Sequence, residues 1–230
     1  FEVRVGQLVA HYRLQALLGK GGTAEVYRAW DTRLARPVAL KFLRPDRISR
    51  DRVARLIHEG RVLARLSDPA VVRIHQVLEV RGLACLVMEF VDGDTLKDRL
   101  GAGPLPRPEA LRIGRAIAHA VAALHEAGYT HCDLKPANVM LGRDGRPRLV
   151  DFGLAARVNR AAQGGTPLYM APEQWRGEAQ RAATDVWALG LVLIEMFTGQ
   201  PALTGTATQL RDRLQGPMAS APTPPPDLSG

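Results

Sequence analysis

The sequence predicts an α+β fold in which a strand-rich first part precedes a helical second part. Over the first 90 residues, short apolar or alternating stretches are separated by turn residues, with one helical pattern among them. After Asp92-Gly93 the apolar residues recur instead at helical spacing, over residues 108–127 and again over about 184–198. Strands followed by helices along the chain are typical of an α+β arrangement with two lobes.

Each element of the first part has a local signal. Apolar or alternating stretches predict strands over residues 14–18, 26–30, 37–43, 71–80 and 83–90. Between them, Ser49 can cap a helix whose apolar residues recur at i, i+3, i+4 and i+7 until about Leu66. Asp68-Pro69 ends this helix, and Arg81-Gly82 predicts the turn between the last two strands.

In the second part, Gly128 stands where a helix C-cap is expected, and Thr198-Gly199 ends the later helix. Short apolar segments lie near residues 139–141 and 148–150. From residue 216 onward the chain is rich in proline, which predicts an extended linker. The predicted divisions are a first lobe at 1–91, a second lobe at 92–216 and a tail at 217–230.

Composition and charge exclude several classes. Hydrophobic residues make up 46% and charged residues 23%, and no apolar run reaches the ~18 residues of a membrane span. Two cysteines do not make a disulfide framework, so we expect a cytoplasmic protein. The net charge of +8 is compatible with a nucleic-acid partner, but the basic residues are scattered, so none is expected. Of 31 basic residues only four are lysine, which singles out Lys41 and Lys135.

Two features of the first lobe are suited to binding phosphate. Gly19-Lys20-Gly21-Gly22 lies between two predicted strands, where glycine lets backbone N–H groups approach phosphate oxygens. Alone it indicates only a hairpin. Lys41 stands inside an apolar strand, where an ammonium group needs an anionic partner, and Glu59 on the next helix is a candidate.

The second lobe carries four further motifs. Asp133, Lys135 and Asn138 stand at short fixed spacing and offer a base, a cation and a metal-ligating amide. Asp151-Phe152-Gly153 offers a carboxylate for Mg²⁺. The segments from Gly165 to Glu173 and from Thr184 to Gly190 follow. In this order and at these separations, the motifs resemble those of the eukaryotic-type protein kinase family, with a Ser/Thr-type catalytic loop, from about Gly19 to Thr198.

The resemblance implies a bilobal kinase fold, with ATP and Mg²⁺ as cofactors and Ser or Thr hydroxyls of a protein as substrate. It places the glycine turn, at Gly19, Gly21 and Gly22, over the phosphates of ATP. Lys41 would hold the α- and β-phosphates and pair with Glu59. The adenine would contact Val26, Ala39 and Met140, with Met88 as gatekeeper and Glu89 and Val91 supplying hinge backbone groups.

In the second lobe, the resemblance implies that Asp133 orients the substrate hydroxyl or accepts its proton. Lys135 would steady the γ-phosphate, while Asn138 and Asp151 would ligate Mg²⁺. Thr166 would lie near Asp133 and Lys135, and Asp185 would brace the catalytic loop.

The sequence departs from the family pattern in two places. Cys132 replaces the arginine that usually precedes the catalytic aspartate and that reads phosphate on the activation segment. Between Asp151 and Glu173 the only hydroxyl residues are Thr166 and Tyr169. We therefore expect no activation by phosphorylation of this segment. The second lobe is also expected to be incomplete at its C-terminal end, so a fused or partner domain would cover it.

Other functions remain possible on the sequence alone. A pseudokinase acting as a nucleotide-responsive scaffold is the main alternative, although every catalytic position is filled. A small-molecule phosphotransferase shares the lobed fold, and a basic nucleic-acid module is supported only by net charge. The excess of arginine over lysine and the residues found in the motifs are typical of a bacterial kinase.

Overall fold

The chain divides into two compact units. A computed structural model describes residues 3–21, 24–43, 68–80, 83–151, 156–157 and 165–216, with the single positions 53, 54, 57, 60, 64 and 66. The first unit comprises residues 1–67 and 72–92, and the second comprises 68–71 and 93–230. Predictions for Gly22, Glu59, Arg81-Gly82, Phe152-Gly153 and the tail at 217–230 lie outside the described residues.

The first unit is a six-stranded sheet in which every described pairing is antiparallel. Along the sheet the strands run in the order β1-β2-β3-β4-β6-β5. Their bounds are β1 Leu8–Val9, β2 Tyr12–Lys20, β3 Ala24–Asp31, β4 Arg36–Leu43, β5 Ile74–Val80 and β6 Leu83–Glu89. Consecutive strands pair directly except for β4 and β5. Strand β4 pairs with β3 on one side and β6 on the other, so it occupies the interior of the sheet.

Strand β4 is buried on both faces, which explains its nearly continuous apolar sequence. One face, with Val38, Leu40 and Phe42, joins the main apolar core of the unit. The other face carries Ala39, Lys41 and Leu43. Helical backbone at Gly60 packs closely against this unit, because an added Cβ there would come within 2.8 Å of Leu86. The remainder of the predicted helix at 49–66 is described only at scattered positions.

The predicted strand at 71–80 begins later than the sequence indicates. Val71 forms a parallel bridge with Leu149, and Leu149 N–H donates to Ala70 O at 2.7 Å. Residues Asp68–Val71 therefore belong to the second unit, and β5 starts at Ile74. The apolar pattern of residues 71–80 is compatible with a strand throughout, so it does not show which residues pair elsewhere.

The second unit is mainly helical. Its helices are α1 Leu96–Leu100, α2 Arg107–Glu126, α3 Pro172–Trp175, α4 Ala182–Thr198 and α5 Ala207–Gln215. Two small sheets accompany them: β7 Gly93–Thr95 with β9 Val139–Gly142 and β10 Pro147–Leu149, and β8 Tyr129–Thr130 with β11 Ala156–Arg157. The two predicted long helices are thus observed, each within two residues of its expected start.

Helices α2 and α4 pack closely at Gly114. A Cβ added there would lie 2.5 Å from Leu193 Cδ2, so only glycine allows this approach. Helix α5, which the sequence analysis did not predict, covers α4 with Leu210 and Leu214 packed in a cluster with Leu191. Its N-terminus is a capping box, in which Thr206 accepts from Gln209 N and Gln209 Oε1 accepts from Thr206 N.

Candidate active site

Asp133, Lys135 and Thr166 form one connected polar cluster. Lys135 Nζ donates to Asp133 Oδ2 at 2.6 Å and to Thr166 Oγ1 at 2.7 Å. Thr166 donates to Asp133 Oδ1 twice, from its backbone N–H and from its hydroxyl, both at 2.9 Å. Both oxygens of the carboxylate are therefore held by donors, although the residue is only half-buried. The geometry fixes the direction of a carboxylate that solvent can still reach.

Asn138 extends this cluster and can also accept a metal ion. Its Nδ2 donates to Asp133 O at 2.9 Å, which leaves the amide oxygen as the available ligand atom. Val150 N–H donates to Asn138 O at 3.0 Å. Asp151 is the next residue along the chain, so this backbone bond ties the position of Asp151 to that of Asn138. One exposed carboxylate and one amide oxygen are hard oxygen donors that suit Mg²⁺, which takes its remaining ligands from phosphates and water.

Other kinds of metal centre find less support. Among the described residues, no group of three or more His, Cys, Asp or Glu side chains is arranged to hold a metal ion. A single carboxylate beside an amide is a weak isolated ligand set. It fits an ion delivered with a nucleotide better than a permanently bound one.

Asp185 holds the backbone that leads into the cluster. Its Oδ2 accepts from His131 N at 2.8 Å and its Oδ1 from Cys132 N at 2.9 Å. His125 Nε2 lies 2.8 Å from Oδ2, which adds a contact from the end of α2. Asp185 is fully buried on α4, so these contacts satisfy a carboxylate that would otherwise be costly to bury. This is the bracing contact that the resemblance implies.

Cys132 has an unusual backbone conformation for a residue with a side chain. Its φ is +68°, and its side chain is buried, with the Sγ donating to Thr130 O at 3.4 Å. Left-handed backbone at such a residue is strained by about 1–2 kcal/mol, so surrounding contacts must hold it. The neighbouring His131 is fully buried, and burial lowers its pKa, which favours the neutral ring. Its Nδ1 accepts from Asp133 N at 3.3 Å.

In the first unit, four predicted nucleotide-binding residues share one face of the sheet. Lys41 pairs with Val26 on β3, and Ala39 pairs with Met88 on β6. Residues directly opposite in an antiparallel pair project to the same side, and residues two apart on a strand do so as well. Val26, Ala39, Lys41 and Met88 therefore form a common surface, in which Lys41 is itself largely buried.

The glycine turn joins β2 and β3 at the end of this surface. Gly21 N–H donates to Ala24 O at 2.8 Å, which closes the turn, and Lys20 Nζ pairs with Glu25 Oε1 at 2.9 Å. A Cβ added at Gly19 would meet no atom within 4 Å, so its backbone faces open space. An open backbone of this kind allows a phosphate to approach the N–H groups.

The remaining predicted positions are placed separately. Glu89 ends β6, and its N–H donates to Arg73 O at 2.8 Å. Val91 is buried, and Met140 lies half-buried on β9 in the second unit. Two side-chain contacts near the Asp133 cluster were not foreseen from the sequence. Tyr169 donates its hydroxyl to Glu195 Oε2 at 2.7 Å, and Gln174 Nε2 donates to Cys132 O at 2.8 Å.

The strand-rich unit and the polar loop of the helical unit together define a chain of the protein kinase class. A model of the protein kinase domain matches residues 12–222, and the chain belongs to this family. It is 37% identical over 96% of its length to the probable serine/threonine-protein kinase SCO3848 of Streptomyces coelicolor. It is also 38% identical over 84% of its length to the serine/threonine-protein kinase PknB of Mycobacterium leprae.

A third relative, the serine/threonine-protein kinase pkn2 of Myxococcus xanthus, is 36% identical over 94% of the chain. The chain covers 36%, 33% and 28% of these three relatives, so it spans about a third of their length. All three relatives are bacterial. No helix among the described residues is both long and apolar enough to cross a membrane.

Proposed function

We propose that this chain is an ATP-dependent protein kinase that transfers the γ-phosphoryl group to Ser or Thr hydroxyls of proteins. The observation that carries the proposal is the cluster in which Asp133 is oriented by Lys135 and by both donors of Thr166. Phosphoryl transfer requires positioning and charge stabilisation more than covalent chemistry, and this cluster supplies a fixed carboxylate beside a fixed cation.

In this proposal, Asp133 accepts a hydrogen bond from the substrate hydroxyl and takes its proton as the hydroxyl oxygen bonds to the γ-phosphorus. The bond from that phosphorus to the bridging oxygen breaks in the same step, and ADP leaves. Lys135, 2.6 Å from Asp133, stabilises the negative charge of the transferred phosphoryl group. Asn138 and Asp151 would hold Mg²⁺, which neutralises charge on the phosphates when bound. Thr166 keeps both the base and the cation in place, since its hydroxyl contacts both.

The residues proposed to bind the nucleotide in the first unit lie on the shared sheet face and the glycine turn. Lys41 would contact the α- and β-phosphates, while Val26, Ala39 and Met88 present an apolar surface suited to a purine ring. Gly19 would let a phosphate approach the open backbone of the turn, and Gly21 would keep the turn closed through its N–H bond to Ala24 O. Roles for Gly22, Glu59, Glu89, Val91 and Met140 stay predictions.

We further propose that activity does not require phosphorylation between Asp151 and Glu173. Both hydroxyls in this segment already have structural partners: Thr166 is bonded to Lys135 and Asp133, and Tyr169 is bonded to Glu195. With Cys132 in place of arginine, the loop also lacks the usual guanidinium reader of a phosphate.

The direct test is transfer of labelled phosphate from Mg²⁺-ATP to the protein itself and to a generic basic protein. The matched control is Asp133→Ala, which removes the proposed base. We expect label on Ser and Thr that falls by about 10³-fold or more in the control, because Asp133 contacts the reacting hydroxyl. Nucleotide binding without transfer would favour the pseudokinase, and transfer only to small molecules would favour a small-molecule phosphotransferase.

The proposal about regulation has its own test. Active enzyme is treated with a protein phosphatase, mapped by mass spectrometry, and assayed again. We expect full activity with no phosphate on Thr166 or Tyr169. Stoichiometric phosphate on Thr166, with activity lost on its removal, would contradict the proposal.

A further inference from the structure

The side chain of Gln174 connects the catalytic loop to the segment that follows Thr166. Its Nε2 donates to Cys132 O at 2.8 Å, and its Oε1 accepts from Ala171 N at 2.9 Å. Gln174 lies on α3 and is only 8% exposed, so neither contact competes freely with water. The primary amide thus bridges two backbone groups that are far apart in sequence.

These two contacts allow only one orientation of the amide. The N–H group of Ala171 needs an acceptor, and the carbonyl of Cys132 needs a donor. A rotated amide would place its oxygen against the carbonyl of Cys132 and its nitrogen against the N–H group of Ala171. Both contacts would then be repulsive. Glutamine is therefore the side chain of this length that satisfies both groups at once.

The carbonyl that Gln174 holds belongs to the peptide unit that leads into Asp133. The N–H group of the same peptide unit donates to His131 Nδ1, while the N–H group of Cys132 is held by Asp185. Cys132 has a left-handed backbone, which is strained and would relax if its peptide groups were released. Rotation of this peptide changes ψ of Cys132 and φ of Asp133, and the direction of the Asp133 carboxylate toward Thr166 and Lys135 depends on these torsions.

We propose that Gln174 is a positioning residue for Asp133, acting through the peptide between Cys132 and Asp133. The inference rests on the proposed kinase function and adds to it a source of loop order that needs no phosphate. The contact with the catalytic loop is made by the segment that contains Thr166, because Ala171 and Gln174 follow Thr166 in the same stretch of chain. Gln174 contacts neither substrate nor nucleotide in this proposal, so its effect falls on the rate of transfer rather than on nucleotide binding.

The sharpest test is Gln174→Glu, which keeps the shape and the acceptor for Ala171 but places a carboxylate oxygen against the carbonyl of Cys132. We expect kcat to fall by about tenfold or more, with KM for ATP changed by less than about twofold. Gln209→Glu is the matched control. Gln209 accepts from the N–H group of Thr206 at 2.8 Å in the same capping position of α5, and both of its described capping hydrogen bonds are to Thr206 rather than to the catalytic loop. We expect its kcat to equal that of the unmodified protein.

A second variant covers the case in which a buried carboxylate prevents folding. Gln174→Met keeps the length and volume of the side chain and removes both hydrogen bonds without adding charge. Its kcat should also fall with KM for ATP retained. The inference is overturned if Gln174→Met keeps full kcat. It is also overturned if kcat and thermal stability fall while KM for ATP rises, which would indicate a merely structural role. An unmodified protein without transfer activity would instead contradict the proposed function.

Discussion

The two units hold their site residues in different ways. In the first unit, Val26, Ala39 and Lys41 lie within regular strands, and backbone pairing alone sets their side of the sheet. In the second unit, Asp133 and Lys135 lie in a loop, and side-chain hydrogen bonds from distant parts of the chain set their direction. A strand site is therefore robust to loss of a neighbouring side chain, while the loop site depends on each partner.

This difference arises because apolar burial stabilises the strands, whereas hydrogen bonds hold the loop. Strand β4 is buried on both faces, and its apolar neighbours maintain its position whatever residue 41 is. The catalytic loop instead contains a strained residue, Cys132, whose peptide groups are held by Asp185 and Gln174. Substitutions in the strands should change contacts to the nucleotide directly, whereas substitutions around the loop should change the geometry of Asp133.

Within the first unit, the largest effect is expected from Lys41→Met. Methionine keeps the length of the side chain in the buried strand but removes the ammonium group proposed to contact the phosphates. We expect kcat/KM for ATP to fall by about 10²- to 10³-fold, since the lost charge would hold the α- and β-phosphates next to the transferred group. Steady-state kinetics with varied ATP measure this.

Lys41→Arg serves as the companion variant, because it keeps the charge and changes its geometry. Its loss should be smaller than that of the methionine variant. If Lys41→Met keeps the unmodified rate, the proposed phosphate contact is wrong, and the strand surface has only a structural role.

Much of the first unit could be predicted because its signals are local. Alternation and apolar runs gave the strands 26–30 and 37–43, which are observed within β3 and β4. The shared face of Ala39 and Lys41 also follows from their spacing of two residues. The assignment of Val71 to a bridge with Leu149 could not be predicted, since the two residues are far apart in sequence and nothing in the local pattern links them.

The loop contacts of the second unit are mostly not local. The bond between Ala171 and Gln174 has the spacing of a capping box and could have been read from the sequence. The bond between Gln174 and Cys132 spans 42 residues and depends on how the segments pack. Helix α5 was missed because its polar sequence buries only Leu210 and Leu214, which gives a weak apolar pattern.

A smaller effect is expected at Thr166, which tests whether the hydroxyl or the backbone orients Asp133. Thr166→Ala keeps the N–H donor but removes the hydroxyl that contacts Lys135 and Asp133. We expect kcat to fall by about tenfold, since one charge-assisted bridge is lost. Thr166→Ser restores the hydroxyl and should stay within about threefold of the unmodified rate. Equal losses in both variants would show that the methyl group, and hence packing, is what matters.

The smallest expected effect is a pH dependence of protein stability that arises from Glu195 on α4. Burial is the main cause that raises the pKa of Glu195 above its ordinary value of 4.5, while the Tyr169 hydroxyl and Lys97 act in the opposite direction. The folded protein therefore keeps the proton to higher pH than the unfolded chain does. The stabilising contribution is complete below the unfolded pKa and is lost as pH rises through the folded pKa.

Glu195→Gln removes this dependence, because the neutral amide can still accept from Tyr169 at every pH. We expect the melting temperature of the unmodified protein to decline relative to Glu195→Gln as pH rises from below 4.5 toward neutrality. For a chain of this size each kcal/mol corresponds to about 2–4 °C, so thermal unfolding measures the difference. In Tyr169→Phe the donor that lowers the pKa is gone, so the decline should move to higher pH. A difference between the unmodified protein and Glu195→Gln that stays constant with pH would mean that Glu195 titrates alike in both states. In that case its contact with Tyr169 would depend on shape rather than on charge.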